Sequence, residues 1–582
     1  MFDKQSLTRI AAPFVALALV ACATASGPVG APARDGGGEA MAVAANPHAV
    51  EAALEMLRAG GSAVDAAIAA ELVLGLVEPQ SSGIGGGGFL VHYEAASEDI
   101  IAYDGRERAP AGARPDMFLG QDGEPLGFLE AQTSGRAIGA PSLIAMLKMA
   151  HDDHGRLAWA QLFEPAIRLS ESGFEVSPRM ARILASTAER GRLRRDPAAR
   201  AYLLDRRGRP HGVGHLLRNP QYAATLRAIA EQGPRALSEG PIAAAIVAAA
   251  QREPLAGSLT LADLQAVRVR RLEPVCGAFR VYRVCTAGPP SSGNAVLAIL
   301  GLYQRVRPQP DGPGNTDDWA AFLWASRLAY ADRDHYMADD QFVPMPTREL
   351  IAPSYLDERA RLIDLSQAPA RVEPGAPVGR ELLETWGRAQ SDDEGTTHIS
   401  ILDQWGNAVS LTATVESAYG AQRMAAGFFL NNQMTDFSFR PTLNGRPVAN
   451  AVEPRKAPRS SMSPVIVTDR NGELVLVIGS PGGSAIIGYV ARTTIGVLDW
   501  RLSPQAAIDL SNATARSSPA NVEAERAPAG VLDALRQRGW ALRDVTGLED
   551  SGLHAILVTD QGLVGGADPR REGVVGRVPA QQ

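Results

Sequence analysis

The chain has 582 residues, 45% of them hydrophobic, and a formal net charge of -7. That is enough apolar material for a large core and enough length for several domains. The acidic balance, with no dense basic block beyond residues 190–195, argues against a nucleic-acid partner, and that arginine cluster reads as a solvated helix face.

In chain order, Lys4 and Arg9 lead into an apolar run over residues 10–21, too short to span a bilayer as a mature helix, which reads as a signal peptide. Its end, Leu19-Val20-Ala21-Cys22, has the form of a bacterial lipobox in which Cys22 takes a lipid; Ala21-Cys22-Ala23-Thr24-Ala25 would serve equally as an ordinary cleavage site. Residues 22–40 then form a flexible tether. The expected location is the periplasm, with an outer-membrane lipid anchor because Ala23 rather than Asp follows the cysteine.

Residues 46–59 and 62–76 are Ala-rich and helix-forming, separated by Gly60-Gly61, with Ser62 as an N-cap. The glycine run over residues 83–88 lacks the Gly-Lys-Ser/Thr ending of a phosphate loop and follows Glu78-Pro79 rather than a strand, so it reads as a tight crossing of backbones. Two β-prone runs follow, at residues 89–93 and 100–103. Residues 140–265 alternate helical segments with polar turns, with a capped helix start at 258–264, and read as scaffold. Cys276 and Cys285 flank a stretch able to fold back as a hairpin. A turn centred on Arg280-Val281 would set the two thiols opposite one another, where export permits a disulfide; two buried free thiols are the alternative. No His/Cys pair has ligand spacing, so neither a metal nor another cofactor is expected.

Around residues 375–395 the pattern loosens and ends in the acidic segment Ser391-Asp392-Asp393-Glu394-Gly395, an exposed loop. Residues 397–403 and 408–414 alternate as two strands about Gln404-Trp405-Gly406-Asn407. Thr396 therefore stands where a loop enters a strand. A threonine hydroxyl needs an adjacent base to act as a nucleophile, and a free α-amine, with a reference pKa of about 8, is such a base once the preceding peptide bond is cut. The hydroxyl could itself make that cut by attacking the carbonyl of Gly395. A threonine at a strand start is also ordinary β-propensity, so local sequence alone does not choose.

The flanking motifs do. The chain resembles the γ-glutamyltransferase (glutathione hydrolase) family from about residue 40 to 575. The resemblance is carried by Gly60-Gly61-Ser62-Ala63-Val64-Asp65-Ala66-Ala67, Asp104-Gly105-Arg106-Glu107-Arg108-Ala109-Pro110, Pro289-Pro290-Ser291-Ser292-Gly293 and Ala329-Tyr330-Ala331-Asp332-Arg333. It continues through Thr396-Thr397-His398-Ile399-Ser400, Asn431-Asn432-Gln433-Met434-Thr435-Asp436-Phe437, Ser460-Ser461-Met462-Ser463-Pro464 and Gly479-Ser480-Pro481-Gly482-Gly483. It implies an α+β fold, the N-terminal-nucleophile hydrolase αββα sandwich. It also implies a proenzyme cut between Gly395 and Thr396 into a large subunit (residues 41–395) and a small one (396–582) that stay together as one catalytic unit. By the same resemblance Thr396 is the nucleophile, Thr414 hydrogen-bonds it, and the amides of Gly482 and Gly483 form the oxyanion hole. Arg106, Ser460 and Ser461 would take the α-carboxylate of a γ-glutamyl substrate, and Gln433 and Asp436 its α-ammonium. Water or an amine would resolve the acyl-enzyme.

Two departures bear on substrate. Glu416 stands where better-characterised members carry an asparagine that helps bind the α-amine, and the segment between Asp436 and Ser460 is shorter than in members with a long lid. The first adds a carboxylate beside Asp436. The second suggests a more open pocket, suited to larger γ-glutamyl compounds and to hydrolysis over transfer. The alternatives are an acylase for glutaryl or cephalosporin-type amides or poly-γ-glutamate, and a lipid-anchored binding protein without catalysis, which would remain an intact chain.

Overall fold

The computed structural model describes residues 38–189, 192–379, 395–547 and 551–580. The signal peptide, Cys22, nearly all of the tether and the acidic loop up to residue 394 lie outside the described residues. What is described of the arginine cluster corrects one expectation: Leu193–Arg195 is a short 3-10 turn rather than the face of an α-helix, and Arg192 donates to Thr133 Oγ1.

Two antiparallel sheets form the centre. The first contains β1 (Ala40–Ala44), β2 (Gly87–Glu94), β3 (Asp99–Gly105) and β4 (Arg270–Leu272). The second begins with β5 (Val275–Phe279) and β6 (Tyr282–Thr286). The chain returns to the first sheet through β7 (Thr397–Leu402) and β8 (Ala408–Thr414), and to the second through β9 (Val465–Thr468), β10 (Leu474–Gly479), β11 (His554–Thr559) and β12 (Gly562–Ala567). With β13 (Val574–Val578) closing one edge, the orders are β13-β1-β7-β8-β2-β3-β4 and β12-β11-β10-β9-β6-β5.

Side-chain alternation explains the layering. In β1, Ala40, Ala42 and Ala44 join the core under the first helical layer, whereas Met41 and Val43 join the core between the sheets. The first layer contains α1 (Pro47–Arg58), α2 (Ala63–Val77) and α3 (Leu143–His154). Ser62 caps α2 in a reciprocal box with Asp65, and Ala-rich α2 is buried nearly all round. The opposite layer is α4 (Gly293–Val306), α5 (Thr316–Tyr336) and α6 (Ile486–Leu498). The architecture is thus the αββα sandwich, an α+β fold.

Cys276 and Cys285 are directly paired across the β5–β6 hairpin, whose turn at Arg280 has φ +57°, and their sulfurs are joined in a disulfide. None of the described helices is long and apolar enough to cross a membrane.

Candidate functional site

The β7–β8 hairpin sets the site. Asp403 Oδ1 accepts from the amides of Trp405 and Asn407, fixing the turn, and its Oδ2 accepts from Ala63 at the head of α2. The resulting register pairs Thr397 with Ala413 and so places Thr396 beside Thr414. Thr396 Oγ1 is 3.2 Å from Thr414 Oγ1, which also accepts from the amide of Glu416 at 2.7 Å. The glycine run is the close backbone crossing that its composition suggested: a Cβ on Gly86 would stand 1.9 Å from the carbonyl oxygen of Thr414. Just before it, the carbonyl of Ser81 accepts from the amides of Thr396 (3.3 Å) and Val415 (3.2 Å).

Around Thr396 the structure gathers nearly every residue singled out from the sequence. Arg106, Thr414, Glu416, Gln433, Asp436, Ser460, Ser461 and Gly483 line one pocket with it, and Met462 and Ile486 add an apolar wall. Gly482 precedes Gly483 at the start of the 3-10 turn leading into α6, and among the described contacts neither amide has a protein acceptor. Two unspent N–H donors beside a hydroxyl are what stabilising a developing oxyanion requires.

Arg106 is not the surface ion-pair residue that neighbours Asp104, Glu107 and Arg108 suggest. It is 2% exposed, donates to the carbonyls of Pro458 and Arg459, and pairs with Asp436, to which Gln433 Nε2 also donates at 2.6 Å. Glu416 accepts from Ser417 Oγ at 2.6 Å and from the Asn432 amide. One guanidinium and two carboxylates therefore line a single pocket. The segment after Asp436 is anchored at the edge of the site. Its tip, the hairpin Thr442–Leu443 with Arg446–Pro447, turns outward, while Asn450 binds the carbonyl of Asp436 and the amide of Arg459, drawing the main chain down onto Arg106. The pocket that Arg106 and Asp436 line is small.

Supporting residues explain the remaining motifs. Ser291 and Ser292 donate to the carbonyls of Met462 and Ser460, and Arg333 donates to Ser292 and to Ser461 Oγ, fixing the serine pair. Asp334 is paired with Arg333, Arg459 and Arg516, which together hold its carboxyl down at about 2 against the opposing effect of burial. His398 is buried between the sheets with both ring nitrogens engaged by the hydroxyls of Thr412 and Ser400, so it serves as scaffold. Sequence reasoning missed Arg571, whose guanidinium donates to the carbonyl of Thr396 at 2.7 Å and lies 3.9 Å from buried Glu78. A second arginine, Arg570, stands beside it in the chain, and no local signal separates the two.

Among the carboxyls that burial pushes upward, Glu107, beside Arg106, reaches about 7, and Glu71 in α2 about 8. Each keeps its proton longer in the folded than in the unfolded chain, so the stability it lends is complete below about pH 4.5 and is lost as pH rises through about 7 and 8 respectively. Thermal melts across that range should fall less steeply for Glu71→Gln than for the parent; equal slopes would show that Glu71 is ionised in both states.

An αββα sandwich with a hydroxyl residue at the head of a central strand, beside unspent main-chain donors, is the design of the N-terminal-nucleophile hydrolases. The gamma-glutamyltranspeptidase family model matches residues 49–578. The glutathione hydrolase proenzyme of Bacillus subtilis (strain 168) is 34% identical over 513 residues, covering 87% of this chain and 85% of that protein. The acylase ACY 1 proenzyme of Pseudomonas sp. (strain V22) is 31% identical over 540 residues, covering 91% and 92%. The cephalosporin acylase structure from Bacillus halodurans, 24% identical, superposes with a TM-score of 0.80 over 99% of both chains, a likeness of fold. The chain belongs to the gamma-glutamyltranspeptidase family and is an enzyme of the N-terminal-nucleophile type.

Proposed function

We propose that this enzyme matures by cutting itself between Gly395 and Thr396 and then cleaves the γ-glutamyl amide bond of glutathione or related compounds. The observation that carries the proposal is the shared pocket: the Thr396 hydroxyl, hydrogen-bonded to Thr414, opens onto the same small cavity as Arg106, Gln433 and Asp436. After the cut, the freed α-amine of Thr396 takes the hydroxyl proton, the oxygen attacks the γ-carbonyl, and the amides of Gly482 and Gly483 receive the oxyanion. Arg106, Ser460 and Ser461 hold the substrate α-carboxylate, and Asp436, Gln433 and Glu416 its α-ammonium. The amine leaves, and water or an acceptor amine releases the γ-glutamyl group. The basic and apolar leader and Cys22 support export with a lipid anchor, and the two fragments built into one sandwich support a heterodimer that stays assembled.

Comparing γ-glutamyl and glutaryl p-nitroanilides tests the acyl group. Preference for γ-glutamyl supports the proposal; strong preference for glutaryl would make the chain an acylase, the reading that Glu416 and the acylase relatives keep in play. Glu416→Gln supplies a finer test. Removing one charged acceptor of the ammonium weakens a contact of about 1.5–3 kcal/mol, so KM for the γ-glutamyl anilide should rise about 10-fold or more with little change in kcat, narrowing its advantage over the glutaryl compound. An unchanged KM would remove Glu416 from the ammonium site.

A further inference from the structure

On the helix-covered side of the first sheet, away from the pocket, three electron-pair donors converge. His92 and Glu94 stand two apart on β2 and so share one face, and His154, the last residue of α3, packs over them. The His92 and His154 rings stack with centroids 3.8 Å apart. Tyr103 on β3 decides the tautomer of His154. Its hydroxyl donates to Asp153 Oδ2 at 2.7 Å, a carboxylate that can only accept, so toward His154 Nε2, 2.9 Å away, the phenol oxygen is the acceptor and Nε2 carries the proton. Nδ1, the remaining nitrogen of His154, faces Glu94 Oε2 at 3.6 Å. Nδ1 of His92 is buried with no hydrogen-bond partner, in a side chain only 1% exposed.

We propose that His92, Glu94 and His154 form a binding site for a divalent cation of the zinc class. Two neutral imidazoles and one carboxylate are a donor set that suits Zn2+, Ni2+ or Cu2+ and discriminates against Mg2+ and Ca2+, which take oxygen ligands. The donor atoms lie within 4.8 Å of one another, against edges of about 3.4 Å for a tetrahedron with bonds of about 2.1 Å. The partly exposed Glu94 and His154 are the side chains with freedom to close that gap. The Tyr103–Asp153 relay supplies what a ligating histidine needs on its other nitrogen, a partner that fixes tautomer and ring orientation. The consequence is mechanical. The residues leading into α3 hold the edge of the catalytic pocket, with the amides of Ser142 and Leu143 bonded to the carbonyl of Gly86 and Ser142 Oγ to that of Gly105, next to Arg106. A cation at the far end of α3 would tie the same helix to β2. Sequence spacing conceals the cluster because its third ligand comes from another element, 60 residues beyond Glu94.

The test is calorimetric titration of ZnCl2 into the self-processed, chelator-stripped protein, paired with thermal melts. The expected result is one equivalent bound with a micromolar or tighter Kd, a raised Tm, and no competition from Mg2+. Glu94→Gln and His154→Gln, both at partly exposed positions, should each weaken binding at least 10-fold and abolish the Tm shift while leaving the zinc-free Tm and anilide turnover unchanged. Tyr103→Phe, which keeps all three ligands, should weaken it about 10-fold through the lost outer hydrogen bond. Absence of binding at 100 μM Zn2+, or binding that survives both ligand substitutions, would overturn the proposal.

Discussion

Thr396→Ala should yield a protein that stays a single chain on a denaturing gel and turns over no γ-glutamyl anilide. One oxygen serves both steps in the proposed scheme, so its loss should stop maturation and catalysis together. The fall in kcat/KM should be at least about 10^4-fold, or about 5.5 kcal/mol of transition-state stabilisation. The buried setting makes the result interpretable. Thr396 is held by the Ser81 carbonyl through its amide and by Arg571 through its carbonyl, and alanine keeps both main-chain contacts. The variant should therefore fold, with a melting temperature close to that of uncut parent. Thr396→Ser retains the hydroxyl but loses the methyl group that restricts χ1, and should still cut itself, more slowly. A Thr396→Ala protein that is nevertheless cut between residues 395 and 396, as shown by N-terminal sequencing, would remove this hydroxyl from the maturation step.

How much of this site the sequence reveals depends on how local its partners are. The β7–β8 hairpin is legible because alternation on both sides of a turn-forming Asp403–Asn407 stretch admits one pairing, and that pairing places Thr396 beside Thr414. The disulfide is legible only as one of two alternatives, because the sequence does not fix whether the turn centres on Arg280-Val281; the structure does. Arg106 is not legible from its own neighbourhood. Asp104 and Glu107 look like its partners in the chain, but Asp104 Oδ2 is taken by the guanidinium of Arg270, 166 residues on, and Glu107 stands 3.9 Å away. This diversion leaves Arg106 to turn inward to Asp436. Arg571 is less accessible still, since its contact with Thr396 spans 175 residues. The path of the segment after Asp436 also escapes a reading of loop length, because it depends on where Asn450 anchors it.

The residue before the cut gives the other large effect. Gly395 has φ +111° and Thr396 has φ +107°, so both residues flanking the scissile bond lie in backbone space that side-chain-bearing residues avoid. A Cβ on Gly395 would stand 1.4 Å from the carbonyl oxygen of Glu416, itself in a strand-terminal turn at φ +80°. No rotamer relieves an overlap of main chain with main chain. Gly395→Ala must therefore move the scissile carbonyl away from Thr396 Oγ1, and a displacement of about 1 Å at a reacting centre costs on the order of 100-fold. Maturation should slow by at least about that factor, read as the half-time for the single band to become two. Activity expressed per cut molecule should remain near that of the parent. The reason is geometric: once the bond is broken, residue 396 no longer has a φ angle and residue 395 is a chain end free to leave Glu416, so neither constraint survives into the mature enzyme. Normal cutting of Gly395→Ala would mean that the strained arrangement is not the one from which the bond is broken. Slow cutting together with low activity per cut molecule would instead place Gly395 in the catalytic pocket itself.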